Sequence, residues 1–240
     1  MEFKLPTDFS GVRIFSSEKS DGSMDKEGIE KNLPKFLKKI RFALKALSSS
    51  TLKSPQTAPT VAYSEQVHRN KIKLIKNPGY YKGCDGLVTG ERVILAVKSA
   101  DCIPLLFFDN ERGMFGVIHV GRRSLLGGII SVSLREYFKK SSHSPALVTF
   151  FIGPHIRKDN YEIKGNVVDE VKESGFEKFL DHSPAKITFD LTGALMSELE
   201  KLGVKRDNIY DCAADTFTDE RFFSYRRGDR ELFVTLIVPK

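Results

Sequence analysis

Three residues in separate stretches of the chain share one chemistry. They are His68 in Gln66-Val67-His68, Cys102 in Ser99-Ala100-Asp101-Cys102, and His119 in Ile118-His119-Val120-Gly121. Two imidazoles and a thiolate suit a borderline metal. Three protein ligands leave a tetrahedral zinc one open position, the arrangement of a catalytic site. A structural zinc adds a fourth ligand and usually shows tight CxxC or HxxxH pairs, and the sequence contains neither.

Taken singly, each residue also has an ordinary reading. His68 sits in the polar run Glu65 to Asn70, where a lone histidine is usually a surface group. Cys102 lies between two apolar runs, where a thiol is commonly an inert small hydrophobe. Yet Lys98 to Cys102 is a polar break between those runs, which puts it at strand ends, where sites collect. His119 closes an apolar run, and Gly121 behind it permits a tight turn.

Charged neighbours extend the set. Asp85, in Gly83-Cys84-Asp85-Gly86, and Asp101 are candidates for moving protons, although the first stretch also reads as a plain turn. Arg122 and Arg123 stand at the mouth of a predicted helix. Free N–H groups there attract anions, and a guanidinium offers phosphate a bidentate fork. The competing reading of Arg123 is a solvated side chain. Ser224-Tyr225-Arg226-Arg227 reads as a basic surface loop, and His143 and His182 as surface residues. His155, after Gly153-Pro154, reads as a loop residue, with a fourth ligand or an acid–base group as alternatives.

The elements that must position these groups alternate between strands and helices. Residues 11–16 read as a strand entering a polar loop, Ser16 to Lys26. A helix follows, capped by Asn32 and opened by Leu33-Pro34, with Phe36, Leu37, Ile40, Ala43, Leu44 and Leu47 at 3.6-residue spacing. Ser48 to Pro59 reads as a loop. Strands are expected at residues 60–63 and 72–75, on either side of His68, at 93–97 before Cys102, at 103–108, and at 114–118 leading to His119. Apolar runs this continuous suggest burial on both faces. Ser124 to Lys140 reads as one helix, 146–152 as a strand, 166–174 and 190–202 as helices, and 232–238 as the closing strand. Asp190 and Gly203 supply a cap and a stop for the second of those helices. The pattern predicts an α/β chain forming a single domain over residues 1–240, with mixed sheets and helices on their faces.

Composition sets the outer bounds. A net charge of +7 comes from scattered lysines and arginines, and the densest group, Lys35 to Arg41, is the polar face of an amphipathic helix. That favours a solvated basic surface over nucleic-acid binding. Cys84, Cys102 and Cys212 form no close pair, which fits a reducing cytoplasm. No segment approaches the ~20 apolar residues of a membrane span, and the N-terminus lacks a signal-peptide core. A cytoplasmic protein is expected.

These motifs, in order, resemble one family, the YfiH-like (DUF152) proteins, long labelled multicopper polyphenol oxidoreductases or laccases and described as purine nucleoside phosphorylases. Gln66-Val67-His68 resembles its QVH motif, and Cys84 to Thr89 its ADGLVT. Ser99 to Pro104 is similar to TADC-[IV]-P, and His119 to Ser124 to HAGWRG. Ile152-Gly153-Pro154 with Tyr161-Glu162, then Asp190-Leu191, Gly203-Val204 and Phe222 to Arg227, resemble its C-terminal stretches. Arg122 stands where the family has Trp, and Ser124 where it has Gly. Ile14 to Lys19 barely match its N-terminal motif.

The resemblance implies a zinc held by His68, Cys102 and His119, with copper the less favoured metal. It implies a four-layer α/β/α/β fold with mixed sheets, related to the cysteine hydrolase fold of the cytotoxic necrotizing factor. It also implies phosphorolysis of adenosine, inosine, guanosine and methylthioadenosine, and deamination of adenosine. The partners would be a purine nucleoside and phosphate, with no nucleic acid and no membrane. Arg123 would hold phosphate, and Asp85 or Asp101 would move protons. Two other readings use the same residues: a metal-free hydrolase or amidase with Cys102 as nucleophile and His119 as base, and an editing factor acting on peptidoglycan precursors.

Overall fold

A computed structural model describes residues 1–4, 11–47 and 61–240, with the side chains of 41–47 left aside. The chain runs β1 (Val12–Ser16), α1 (Gly28–Leu47), β2 (Val61–Ser64), β3 (Ile72–Leu74), β4 (Gly79–Tyr81), β5 (Gly86–Thr89), β6 (Ile94–Ser99), β7 (Ile103–Asp109) and β8 (Met114–Val120). It continues through α2 (Arg122–Leu126), a π-helical segment at Ile129–Leu134, α3 (Arg135–Ser141), β9 (Thr149–Ile152), β10 (Glu162–Ile163) and α4 (Asn166–Glu173). β11 (Leu180–His182), β12 (Ile187–Phe189), α5 (Leu191–Leu202), β13 (Ile209–Asp211) and β14 (Phe233–Pro239) complete it.

The strands form a five-stranded sheet, β1-β14-β6-β2-β4, and a six-stranded sheet, β13-β9-β7-β8-β5-β3, with a small third sheet, β10-β12-β11. Both large sheets are mixed: β2 runs parallel to β6, while β14 is antiparallel to it. Two-residue alternation explains how the sheets stack. Leu106 and Phe108 of β7 join Leu95 and Val97 of β6 in a core between the sheets. Ile103, Leu105 and Phe107 face the other way, against Leu125, Ile129, Leu134 and Leu195. Ile94 and Ala96 pack on Phe36 and Ile40 of α1. The layers therefore run α1, first sheet, second sheet, helices α2–α5. Four layers and mixed sheets match expectation, but the two sheets face each other directly, giving α/β/β/α. Both β6 and β7 are buried along their whole length, which is why they read as unbroken apolar runs.

Several local readings are corrected. α1 starts at Gly28, before Asn32, because the Asp25 carboxylate accepts from Gly28 N at 2.7 Å. The Asn32 amide instead donates to Ser23 O at 2.8 Å, and Pro34 lies inside the helix. The expected single helix from Ser124 to Lys140 breaks at Gly127-Gly128, where Gly128 takes φ +84°, and resumes as the π-helical segment. The cap and stop of α5 are as read: Asp190 accepts from Gly193 N at 2.8 Å, and Gly203 is left-handed. The loop expected over Ser48–Pro59, and Thr60, lie outside the described residues. Among the described residues, no helix is long and apolar enough to cross a membrane.

Candidate metal centre and its cavity

The trio comes together where three strands end. His68 lies four residues beyond β2, Cys102 in the β6–β7 turn, and His119 near the end of β8. Their ligand atoms all lie within 4.8 Å of one another. His68 is exposed, Cys102 half-buried and His119 buried. The two rings meet edge-on, with centroids 4.7 Å apart at 85°.

Backbone conformation marks the same place. Gln66, His68 and Asp101 adopt φ of +66°, +57° and +87°, values that cost non-glycine residues on the order of 1–3 kcal/mol each. The surroundings hold them there. The Gln66 amide imitates a strand neighbour: Nε2 donates to Lys98 O at 2.6 Å, and Oε1 accepts from Lys98 N at 2.8 Å. Gly121 is needed for a different reason, since a Cβ there would meet Cys102 Sγ at 2.9 Å and His68 Cδ2 at 3.3 Å.

Asp85 is a buried carboxylate, so its stretch is not a plain turn. It accepts from His68 N at 2.8 Å and Arg69 N at 2.9 Å, and it pairs with His119 Nδ1 at 3.0 Å. Burial works to raise its pKa, but the bonds from His119 and the two amides bring it below the usual carboxylate value. With Nδ1 engaged, Nε2 of His119 is the nitrogen left for the thiol or a metal. Burial works against charge on both groups, yet their mutual attraction wins. Cys102 falls to about 6 under the charge of His119 and hydrogen bonds from His119 and His68. His119 rises to about 9 through Cys102 and Asp85. The two groups each favour the other's charged form.

Asp101 is also buried and also committed. One oxygen accepts from Thr216 Oγ1 and the other from Arg226 N, both at 2.7 Å. It thereby clamps the C-terminal loop over the site. Arg227, read as part of a basic surface loop, donates to Thr216 O at 2.7 Å, Phe217 O at 2.9 Å and Asp229 at 2.6 Å, and locks the same loop.

A cavity of about 540 Å³ opens over the trio, lined also by Lys98, Asp101, Arg122, Arg123, Tyr161, Arg226 and Arg230. Its size suits a small molecule. Arg122 is bonded to Glu170, and Arg226 lies over the Tyr161 ring at 4.9 Å. The exposed Arg123 guanidinium has no hydrogen bond or ion pair among the described residues. Sequence reasoning reads Lys98 only as the start of a polar break, Tyr161 only as part of a family stretch, and Arg230 not at all, because only the fold brings residues so far apart in the chain to one wall.

The other histidines stand apart from the trio. His155, expected to be a loop residue, is fully buried: Nδ1 donates to Gly153 O at 2.8 Å, so Nε2 accepts from Thr192 Oγ1 at 2.6 Å. Both nitrogens are satisfied in the neutral form. Burial, then the charge of Arg157, lowers its pKa to about 4. His143, expected at the surface, has a side chain only 8% exposed, set against Asp109 at 2.8 Å and Glu111 at 3.1 Å. His182 is exposed, as expected.

Residues 42–237 match the family described as multi-copper polyphenol oxidoreductase laccase. A protein of Campylobacter jejuni named purine nucleoside phosphorylase is 32% identical over 181 residues, covering 74% of this chain and 76% of that protein. The crystal structure of YlmD from Geobacillus stearothermophilus has the same fold, with a TM-score of 0.80 over 98% of this chain and 94% of that one at 22% identity. The hypothetical protein YfiH of Bacillus licheniformis, also 22% identical, gives a TM-score of 0.73 over 88% of this chain and 82% of that one.

Proposed function

The chain belongs to the multi-copper polyphenol oxidoreductase laccase family, and from that premise we propose that it is a zinc-dependent purine nucleoside phosphorylase with adenosine deamination as a second activity. The observation that carries the proposal is the convergence of His68, Cys102 and His119 at the floor of a cavity whose wall offers an unpaired Arg123. The donor set fits zinc. A thiolate is available near neutrality, one nitrogen of His119 is fixed by Asp85, and Gly121 keeps the space clear. Zinc bound there would supply a Lewis acid with an open position.

The chain's own residues do the rest. Arg123 binds phosphate by its fork, and the cavity holds the ribose so that a phosphate oxygen meets C1′. The C1′–N9 bond breaks, and the base leaves with the electron pair and takes up a proton. Asp85 and Asp101 act as positioning groups, since the hydrogen bonds named above already occupy their oxygens. In deamination the nucleoside enters base-first, and water replaces ammonia at C6.

Copper chemistry is less well supported by the residues. Two His and one Cys suit a single copper, but His143, His155 and His182 are each placed elsewhere, so no second copper site is furnished by the histidines. The metal-free hydrolase reading draws on the Cys102–His119–Asp85 array, which has the order of a nucleophile, base and orienting acid.

The test is metal analysis of freshly purified protein beside an assay of adenosine, inosine and guanosine with and without phosphate. Phosphate-dependent release of free base and ribose 1-phosphate, lost on chelation and in Cys102→Ala, is expected. Full turnover by metal-free protein would sink the metal, and an acyl group trapped on Cys102 would favour the hydrolase.

A further inference from the structure

Among the described residues, Lys98 is a buried cation with nothing to donate to. It follows Ile94 and Ala96 on the face of β6 that packs against α1, and it is 9% exposed. Among the described residues, its ammonium makes no hydrogen bond or ion pair, and its one recorded neighbour is the Tyr63 ring, 5.7 Å from Nζ. Asp25 and Glu65 pull on it electrostatically from outside contact distance. Both oxygens of Asp25 are engaged elsewhere, capping α1 at Gly28 N and accepting from Ser23, and one oxygen of Glu65 accepts from Gly83 N at 2.7 Å. A buried ammonium without acceptors is costly. Lys98 lines the cavity above the trio, so the missing acceptors can come from the cavity's occupant.

The charge of the wall restricts what that occupant presents. Glu65, Asp229 and Glu231 line the same cavity, so a second anion at this end would face carboxylates. What Lys98 lacks is acceptor atoms rather than net negative charge. A purine with a 6-oxo group carries two adjacent acceptors, O6 and N7, which a lysine can reach together. Its N1–H is a donor suited to a carboxylate such as Glu65. A 6-aminopurine inverts both features, turning an N–H toward the ammonium and a lone pair toward the carboxylate.

We propose that Lys98 reads the base, donating to O6 and N7 and selecting 6-oxopurine nucleosides over 6-aminopurine nucleosides for phosphorolysis. This rests on the purine nucleoside reading above. The layer order gives the substrate a direction. Lys98 lies on the outer face of the first sheet, whereas Arg123 lies in the first turn of α2 on the outer side of the second. Facing sheets are separated by ~10 Å, so the base end and the phosphate end are distinct subsites, with C1′ between them near the trio.

The experiment compares kcat/KM for phosphorolysis of inosine, guanosine and adenosine in the wild type, Lys98→Met and Lys98→Arg, with products resolved. Calorimetric binding of free hypoxanthine and adenine accompanies it, and thermal unfolding checks each variant. The wild type should favour inosine and guanosine by about tenfold or more, as sites built to hydrogen-bond a polar group reject analogues that lack it. Lys98→Met should bring the substrates near parity, mainly by losing inosine, and Lys98→Arg should restore much of the preference. Equal use of both classes by the wild type, or an unchanged ratio in folded Lys98→Met, overturns the proposal. Phosphorolysis without a Lys98-dependent ratio removes this inference alone. Lys98-dependent hypoxanthine binding without phosphorolysis removes the phosphorylase reading and keeps the base-reading role. Binding of neither base removes both.

Discussion

Replacing Asp85 by Asn tests whether the site is built around His119. The substitution keeps shape and removes charge. In the native protein the carboxylate accepts from two amides and pairs with His119 Nδ1, with almost no exposure to water. An amide has one acceptor oxygen, so its NH₂ takes either the Oδ2 place, confronting the Arg69 N–H, or the Oδ1 place, confronting both the His68 N–H and His119 Nδ1. The first outcome leaves a buried donor unsatisfied, worth about 1–3 kcal/mol. The second forces the proton onto Nε2, the nitrogen left for the thiol or a metal, and so removes its lone pair. Loss of such an orienting carboxylate typically costs about 10–100-fold in metal affinity, or about 1.4–2.8 kcal/mol. Competition titration of zinc against a chromophoric chelator measures that, and denaturant unfolding of metal-free protein measures the stability part. Expected are weaker zinc binding in this range and a lower unfolding midpoint. Wild-type affinity in Asp85→Asn would refute the view that this carboxylate fixes His119.

Three further outcomes follow from the same geometry. In metal-free protein, iodoacetamide should alkylate Cys102 with half-maximal rate near pH 6, whereas burial raises the pKa of Cys84 and lifts Cys212 to about 11; added zinc should suppress the Cys102 reaction. His155 is held at about 4 by burial and Arg157, below its unfolded value of about 6.5, so the unfolded chain takes up its proton first. Its contribution is present above pH ~6.5 and lost as pH falls toward ~4, on the order of 3 kcal/mol; denaturant unfolding across that window should show the slope, and His155→Gln should flatten it. Gly121→Ala adds a methyl 2.9 Å from Cys102 Sγ at an ordinary φ of −92°, so zinc affinity should fall while thermal stability changes little, and a variant with native zinc affinity would show that this space is not needed.

The sequence was legible where one cause dominates. β6, β7, β8 and β14 are buried along nearly their whole lengths, and double-sided burial writes itself as an apolar run. His68, Cys102 and His119 were legible as polar breaks at the ends of such runs. β10 and β13, of two and three residues, are too short to carry a period of their own. The break at Gly127-Gly128 lies within a stripe of apolar residues that continues on both sides, and the stripe masked the glycines. His143 looked like a surface residue because its neighbours are Ser, and His155 like a loop residue because it follows Gly153-Pro154, while their partners, Asp109 and Thr192, lie 34 and 37 residues away.

The two buried aspartates share a design that bears on the chemistry. Asp85 takes amides from the His68 loop and a ring nitrogen from β8, and Asp101 takes a hydroxyl and an amide from the C-terminal loop. Each turns its charge inward: Asp85 holds His68 at a positive φ, and Asp101, itself at a positive φ, ties down the C-terminal loop. The charge of Asp85 and Asp101 is thereby committed to hydrogen bonds, while Glu65, Asp229 and Glu231 also line the cavity. Arg122, Arg123 and Arg226 line it beside the trio, and among the described residues the Arg123 guanidinium has no partner. A site that holds its imidazoles with buried carboxylates and leaves guanidinium groups on the wall is arranged to receive an anion next to a soft metal ligand set. A hydrolase of neutral acyl groups has no use for an unpaired guanidinium such as Arg123, whereas attack by phosphate does.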